Sequence, residues 1–452
     1  MASTVLDSDI YRDIFGTAEM RAVFSDDNVI ANYIRAEVAL AVAQGKLGVI
    51  PTVHADLIAE KAPTLALDRA ALKSEAENVG YPILGLVRQL SAGLGEAGRY
   101  VHWGATTQDI MDTGVVLQVR DGLTIVDREI AAVSDALAKL AVTYRDTPMA
   151  GRTHLQQALP ITFGYKAAVW LSMLQRHAER LQQLKPRVLL AQLGGAAGTL
   201  ASLGSRGIDV RRAYANELGL GDPPITWHVA RDGLVETVQF LGLVTGSLGK
   251  IGFDVMLMMA TEISEVFEPF ASHRGASSTM PQKRNPISSE VLVANSKAVR
   301  QQAGLMLDAM VQDFERATGP WHIEWMALPE SFILAAGALA QARMMLEGLV
   351  VDAPRMRVNL DSTRGLIVAE AVMMGLAPLL GRTPAHDLVY AACREAVDRK
   401  ASLLEVLAQT PIARDALPPE QLRALCDPIN YLGTAVEMAD HVVASHRATR
   451  GS

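Results

Sequence analysis

Nine apolar residues in the first third of the chain recur at alternating steps of three and four. They are Val116, Val119, Leu123, Val126, Ile130, Val133, Leu137, Leu140 and Tyr144. The run predicts one helix of roughly eight turns, where the mean globular helix has about three. Because this spacing is that of a helix-bundle seam, we expect the helix to pack against other helices along its length.

Further apolar runs indicate four more long helices. The predicted segments extend from about Pro160 to Leu184, Leu234 to Val266, Pro286 to Val311 and Leu328 to Val351. No stretch of any length alternates apolar and polar residues as a half-buried strand does. The predicted fold class is therefore all-α, with long helices as its main elements.

The helix predicted at 234–266 is apolar on almost every face. Lys250 and Asp254 are the only charged residues between Glu236 and Glu262, and glycines stand at 242, 246, 249 and 252. These glycines would let a neighbouring helix approach closely. A membrane span is the rival interpretation, but there is no aromatic belt or flanking basic cluster, and two central charges would be costly in lipid. We expect other helices to cover this one, from this chain or from other subunits.

Composition excludes several classes of partner. The 452 residues carry a net charge of −7 without a marked run of Lys or Arg, so a nucleic-acid partner is not expected. Cys393 and Cys426 have no paired spacing, which argues against a disulfide framework or a cysteine metal site. The first residues lack a basic region followed by an apolar one, and the predicted location is cytoplasmic.

The helix pattern suggests three segments with soft boundaries. We predict an N-terminal helical domain at 1–110, a central long-helix domain at 111–355 with a catalytic loop at 272–286, and a C-terminal helical domain at 356–452. Neither an internal repeat nor a low-complexity segment is visible.

Residues 275–290 are the most informative run for chemistry. They read Gly-Ala-Ser-Ser-Thr-Met-Pro-Gln-Lys-Arg-Asn-Pro-Ile-Ser-Ser-Glu. A loop leading into a helix would favour Ser, Asn and Pro. It would require neither Met280-Pro281 nor a lysine two residues before Asn285. The order instead suits a mobile loop that brings a small hydroxyl to an anion held by Lys283 and Asn285.

This run resembles the Gly-Ser-Ser-x-Met-Pro-x-Lys-x-Asn-Pro consensus of the fumarase/aspartase superfamily. Two more segments are similar to family motifs, Gly104-Ala-Thr-Thr-Gln-Asp109 and Gly151-Arg-Thr-His-Leu-Gln156. Ala276 departs from the usual glycine, and Thr107 replaces a serine. The resemblance implies a three-domain all-α fold whose five long helices per subunit form a shared 20-helix core in a homotetramer. It also implies active sites built from three chains, with a small dicarboxylate as substrate.

The resemblance further implies the roles of individual residues. It makes Ser277 the base that removes a proton beside a carboxylate. The resulting charge would be stabilised by a cation and hydrogen-bond donors, and Lys283, Asn285, Thr106 and Thr107 fit this role. Ser278, Met280 and Arg152 are the remaining predicted substrate-binding residues. An ordinary helix start remains the alternative for residues 106–109. Neither a metal nor a cofactor is expected.

His154 and Glu290 are the predicted acid and its orienting carboxylate. In the adenylosuccinate-type members this histidine protonates the leaving group, and a glutamate seven residues after the loop lysine orients it. Counting from Lys283 gives Glu290. A structural histidine is the alternative for His154. A paired imidazole would be a useful acid near neutral pH.

The choice of reaction depends on two conflicting signals. Trp321-His-Ile-Glu-Trp325 stands where phosphate-binding members carry hydroxyls and an arginine, which argues against a nucleotide substrate. This stretch resembles 3-carboxy-cis,cis-muconate cycloisomerases, as does most of the chain. Bacterial cycloisomerases, however, carry Trp at the position of His154 and a small residue at that of Glu290.

An amine leaves poorly without a proton, so retention of both residues favours cleavage of a C–N bond. We therefore predict a C–N lyase that releases fumarate from an N-substituted aspartate, with the cycloisomerase as alternative. A structural lens-type scaffold is a third possibility, against which the intact motifs argue.

Overall fold

The computed structural model describes residues 3–269, 274–316 and 318–451. Positions 272 and 273 of the predicted catalytic loop lie outside these residues. Seven α-helices come first in the chain. They are α1 (Arg12–Phe15), α2 (Ala18–Val23), α3 (Asp26–Lys46), α4 (Thr52–Lys61), α5 (Arg69–Val79), α6 (Ile83–Gly93) and α7 (Thr107–Thr143).

The remaining described elements are mostly helical. The helices are α8 (Phe163–Val188), α9 (Gly207–Leu218), α10 (Asp232–Met259), α11 (Ile287–Ala309), α12 (Gly319–Glu347), α13 (Ala353–Asp361), α14 (Ala369–Leu380), α15 (Arg382–Arg399), α16 (Leu403–Gln409), α17 (Pro411–Ala416), α18 (Pro419–Leu425) and α19 (Ala435–Gly451). Two antiparallel strand pairs join β1 (Pro148–Thr153) to β2 (Gln156–Thr162) and β3 (Val266–Phe267) to β4 (Val350–Val351). The predicted all-α class is confirmed.

The apolar residues that predicted a packing seam along α7 are buried, as their spacing indicated. Eight of its nine apolar residues are buried, and Tyr144, which follows the helix end, is half-buried. The glycines of α10 were expected to let a neighbouring helix approach closely, and the structure shows such an approach at one of them. A Cβ on Gly249 would come within 2.5 Å of the Ser296 hydroxyl on α11, whereas one on Gly246 would meet nothing within 4 Å.

Four predicted helix boundaries are wrong, three of them because short strands were missed. The helix predicted from Pro160 begins at Phe163, since residues 156–162 pair with 148–153. The helix predicted to reach Val266 ends at Met259, because Val266 pairs with Val351 in a two-residue strand. The helix predicted from Leu328 to Val351 instead spans Gly319–Glu347, since residues 319–327 are already helical and Val350–Val351 forms the partner strand. In none of these strands does the sequence alternate apolar and polar residues long enough to indicate a strand.

Contacts divide the chain into two compact units. The first comprises Met1–Ile130, His177–Gly249 and Val291–Ala340, and the second comprises Ala131–Arg176, Lys250–Glu290 and Gln341–Ser452. Each of the five long helices contributes residues to both units. The division at residues 110 and 355 stays a prediction.

Each unit contains its own apolar core. In the first unit, residues such as Leu40, Leu86 and Tyr214 belong to one buried cluster. In the second, Val372, Leu403 and Leu422 belong to another, formed by the C-terminal helices. Judged by length and composition alone, α10 and α12 could each cross a membrane, as could the bent pair Ala353–Asp361 with Leu366–Leu380 taken together. The absence of a membrane partner therefore stays a prediction.

Candidate active site

The loop that carries Ser277 is closed at its base by backbone contacts. The Asn285 N–H donates to the Gly275 carbonyl at 2.9 Å, and Ala276 forms a β-bridge with Arg284. Gly275 has φ +68°, and a Cβ there would lie 2.5 Å from the Asn285 carbonyl oxygen. Only glycine fits this position without displacement of the loop. Gly275 is thus a fixed closure point of the loop.

The Ser277 hydroxyl accepts hydrogen bonds from two backbone N–H groups of its own loop. The donors are Met280 at 3.1 Å and Thr279 at 3.3 Å. A serine holds its proton tightly, and donors aimed at its oxygen favour the deprotonated form. The loop therefore supplies locally the kind of support that a serine base requires.

The other predicted residues of this loop have free side chains. Among the described residues, Ser278, Lys283 and Asn285 have no side-chain hydrogen-bond or ion-pair partner. Lys283 is exposed, Asn285 is half-buried, and Met280 is 43% exposed. The loop thus presents a cation, an amide and a hydroxyl that a ligand can contact.

A buried carboxylate holds the helix that follows the loop. Glu268 accepts from the backbone N–H groups of Ser288 and Ser289, at 3.1 and 2.8 Å, and from the Ser289 hydroxyl at 2.7 Å. A carboxylate at this position satisfies free N–H groups at the helix start and interacts favourably with the helix dipole. Glu290 lies in the same first turn, and its side chain is exposed.

His154 lies at the tip of the hairpin between β1 and β2. His154 and Leu155 have φ +51° and +63°, and Thr153 pairs with Gln156 across them. Two central residues with positive φ make this a tight turn of type I′. The His154 side chain is exposed, and no hydrogen bond joins it to Glu290 among the described residues. Their pairing stays a prediction.

Arg152 anchors this hairpin through a buried acid. Its two terminal nitrogens donate to the Glu265 carboxylate at 2.9 and 2.6 Å, and Asn359 donates to the same carboxylate at 2.9 Å. Two of the three guanidinium nitrogens are therefore occupied. The substrate-binding role of Arg152 stays a prediction, whereas its structural role is visible.

In the first unit, Thr106 and Thr107 lie at the start of α7. The Thr106 hydroxyl oxygen accepts from Arg316 at 2.7 Å, which leaves its O–H free to donate. The alternative interpretation as a helix start is confirmed, because the Thr106 N–H donates to the Asp109 carboxylate at 2.9 Å, while the substrate-binding role stays a prediction. Capping and substrate binding do not exclude each other. Arg316 is a charged neighbour that sequence reasoning missed.

Asp109 and His228 form a buried pair beneath this segment. His228 Nε2 lies 2.7 Å from Asp109 Oδ1, and the carboxylate also accepts from Gly194 and Gly195 N–H groups at 2.8 and 2.9 Å. Asp109 belongs to the Gly104–Asp109 segment that resembles a family motif, for which a helix start was the alternative, and His228 was not predicted as a site residue. The available signal was Asp109 itself, a charged residue two positions after the Thr106-Thr107 pair.

His102 precedes the same segment and is paired with a buried acid. Its Nδ1 lies 2.6 Å from Glu37, and its φ is +60°. Burial disfavours the charged imidazole, but the charge and hydrogen bond of Glu37 outweigh this effect and raise the pKa of His102.

Arg231 is a buried cation shared by two acids. It donates to Asp112 at 2.7 and 2.9 Å and to Glu324 at 2.8 and 2.5 Å. Trp227 covers the guanidinium, with its ring centre 4.9 Å away. This cluster fixes α12, in which Trp321 and Trp325 lie, against α7. No group of three or more His, Cys, Asp or Glu in the described parts of the chain is arranged to hold a metal.

Family profiles and known proteins match most of the chain. The profile described as Lyase matches residues 9–301, and that described as Adenylosuccinate lyase C-terminus matches residues 365–442. Trans-aconitate decarboxylase 1 of Mycosarcoma maydis is 47% identical over 96% of this chain and 88% of its own length. The 3-carboxy-cis,cis-muconate cycloisomerase of Pseudomonas aeruginosa is 46% identical over 99% of this chain and 98% of its own.

Two further comparisons concern a lyase and a solved structure. The N-acetyl-S-(2-succino)cysteine lyase of Dickeya dadantii is 39% identical over 98% of both chains. The crystal structure of a fumarate lyase from Mesorhizobium sp. BNC1 superposes with a TM-score of 0.91 at 56% identity, over 95% of this chain and 98% of that one. The chain therefore belongs to the fumarate lyase superfamily, as its three motifs predicted, and is similar throughout to the 3-carboxy-cis,cis-muconate cycloisomerases.

Proposed function

We propose that this enzyme releases fumarate from a succinate that carries a nitrogen substituent, that is, from an N-substituted aspartate. The observation that carries the proposal is the loop of Ser277, whose hydroxyl accepts from two backbone N–H groups beside the free side chains of Lys283 and Asn285. Ser277 takes a proton from the carbon beside a carboxylate. Lys283 and Asn285 stabilise the charge that moves into that carboxylate.

The second half of the reaction concerns the leaving group. As the C–H electrons form the new double bond, the adjacent C–N bond breaks and its electrons go to the amine. His154, held by Glu290, gives the amine its proton. The relative named for a succino-cysteine supports a substrate in which a succinate carries a heteroatom.

The cycloisomerase is the second candidate because its named representative is 46% identical over 99% of this chain. A carboxylate leaving group needs little protonation, so that reaction would not require His154. The two candidates thus differ in their dependence on this histidine.

We also propose that the active site forms in a homotetramer. Leu243 and Phe253, both on α10, are each 53% exposed, and Met326 on α12 is 57% exposed. Both helices are long and contain an apolar window of 18 residues, of which 50% in α10 and 61% in α12 is buried within one chain. Subunit contacts would bury these side chains and bring the loop of one chain to Thr106 of another. Light scattering should give a mass four times that of the 48.6 kDa chain, and a stable monomer would contradict the proposal.

The direct test is a substrate panel followed by absorbance near 240 nm, where fumarate absorbs. Iminodisuccinate, adenylosuccinate and aspartate test the C–N reaction. Consumption of N-acetyl-S-(2-succino)cysteine, 3-carboxy-cis,cis-muconate and trans-aconitate, followed by chromatography, tests the activities for which relatives are named. We expect fumarate from at least one N-substituted aspartate. Turnover of 3-carboxymuconate alone would overturn the proposal in favour of the cycloisomerase.

Replacement of His154 separates the two candidates within one protein. His154→Trp should abolish release of the amine and leave lactonisation intact. His441→Trp is the matched control, because His441 is also exposed but lies on α19. Equal loss of both reactions in His154→Trp would contradict the assigned role.

A further inference from the structure

We infer that Asp109 and His228 are positioning residues that hold Thr106 and its neighbours as a rigid donor set for a substrate carboxylate. This inference rests on the proposed function of Thr106 and Thr107. Asp109 is fully buried, and its carboxylate accepts from the Thr106, Gly194 and Gly195 N–H groups and from His228. One side chain thus connects the start of α7, a glycine turn and the loop before α10.

The geometry assigns the proton on the ring of His228. Asp109 is a carboxylate and can only accept, so Nε2 carries the hydrogen that lies between them. The other ring nitrogen, Nδ1, is buried and has no hydrogen-bond partner among the described residues. The contact with Asp109 is therefore the polar contact by which this ring can act on its surroundings.

The pair acts on Thr106 through the backbone and leaves its side chain available. Asp109 holds the Thr106 N–H, while Arg316 donates to the Thr106 hydroxyl oxygen at 2.7 Å. The remaining hydrogen of that hydroxyl can then be directed to a ligand. Because Asp109 receives donors from three separate segments, loss of one donor would let the carboxylate shift and misplace this hydroxyl.

Two substitutions at His228 separate the role of each ring nitrogen. In His228→Gln the amide nitrogen occupies the position of Nε2 and can still donate to Asp109. In His228→Asn the amide corresponds to Nδ1 and is too short to reach it. Both replacements are neutral and polar, so they test the hydrogen bond and not the burial of a ring.

The affinity for fumarate is measured by titration calorimetry on the purified full-length protein. We expect His228→Gln to bind fumarate within about threefold of the wild type, and His228→Asn to bind about tenfold more weakly. Equal affinity of His228→Asn and the wild type would overturn the inference. So would an equal loss in both variants, since rescue by the longer amide is the specific expectation.

A double-mutant cycle with Thr106→Ala excludes a merely structural role. If His228 acts through Thr106, His228→Asn will weaken fumarate binding much less in the Thr106→Ala background than in the wild type. Additive effects would overturn the inference while leaving the proposed function intact. A wild-type protein that binds no fumarate would instead contradict the proposed function, and this inference would fall with it.

Discussion

The Gly275 carbonyl accepts a hydrogen bond from the backbone N–H of Asn285, and the two residues approach so closely that no side chain fits at position 275. Ser277 and Lys283 both lie inside the loop that this contact closes. The distance between Ser277 and Lys283 therefore depends on this backbone contact as well as on the conformations of the two side chains.

Gly275→Ala should lower kcat by about 100-fold, because even a 1 Å shift of a reacting group can have an effect of this size. Gly48→Ala is the matched control. Gly48 has the same φ of +68°, but a Cβ there meets nothing within 4 Å. The control should show only backbone strain, about 1–2 kcal/mol of stability, with kcat unchanged. Equal kinetic effects in the two variants would contradict the closure role.

Ser277→Ala should reduce turnover by about 100- to 10,000-fold, as expected for loss of a general base. Its melting temperature should stay near that of the wild type, because the hydroxyl contacts only its own loop. Ser445→Ala, at an exposed serine on α19, is the control. If Ser277→Ala retained more than a third of the activity, another base would have to be sought.

The pairing of His102 with Glu37 should make part of the stability depend on pH. The pKa of His102 is raised in the folded protein above the ordinary 6.5, so the folded state binds this proton more tightly than the unfolded state. The stabilisation is fully present below pH 6.5 and is lost as the pH rises through the raised value. Urea unfolding of the wild type and Glu37→Gln above pH 5.5 should show a difference that shrinks with increasing pH. A constant difference would contradict the pairing.

Substitution of Arg231 should lower the free energy of unfolding far more than substitution of Glu324. Arg231→Met leaves two buried acids without their cation, which should cost about 3–5 kcal/mol of unfolding free energy. Burial raises the pKa of Glu324 despite its contact with Arg231, so ionisation of this acid is less favourable than in water. Glu324→Gln should therefore cost about 1 kcal/mol. The free energies of unfolding of the two variants are measured with a chemical denaturant, and equal costs would contradict this prediction.

The helical architecture could be predicted because its signals are periodic and local. The seam from Val116 to Tyr144 repeats often enough that no other element satisfies it, and its burial is confirmed. The order of residues in the loop at 275–285 likewise predicts a functional segment from sequence alone. The residues that are predicted to carry the chemistry of this loop lie close together in the sequence, so a local pattern reveals them.

Two features of the candidate site could not be predicted from local patterns. The hairpin at His154 has no Asn-Gly or Asp-Gly in its turn, although both central residues have positive φ. The contact between Asp109 and His228 joins residues 119 positions apart. Neither residue belongs to a periodic pattern that would indicate the other, so their association becomes visible only in the folded chain.

The two fixed ends of the Ser277 loop have a consequence for engineering. Glu268 secures the start of α11, and the contact between Gly275 and Asn285 secures the base of the loop. We therefore expect that residues 276 to 284 can be exchanged as a cassette, with sequences taken from the similar lyases and cycloisomerases. Such a transplant would change the chemistry offered to the substrate without redesign of the helical scaffold.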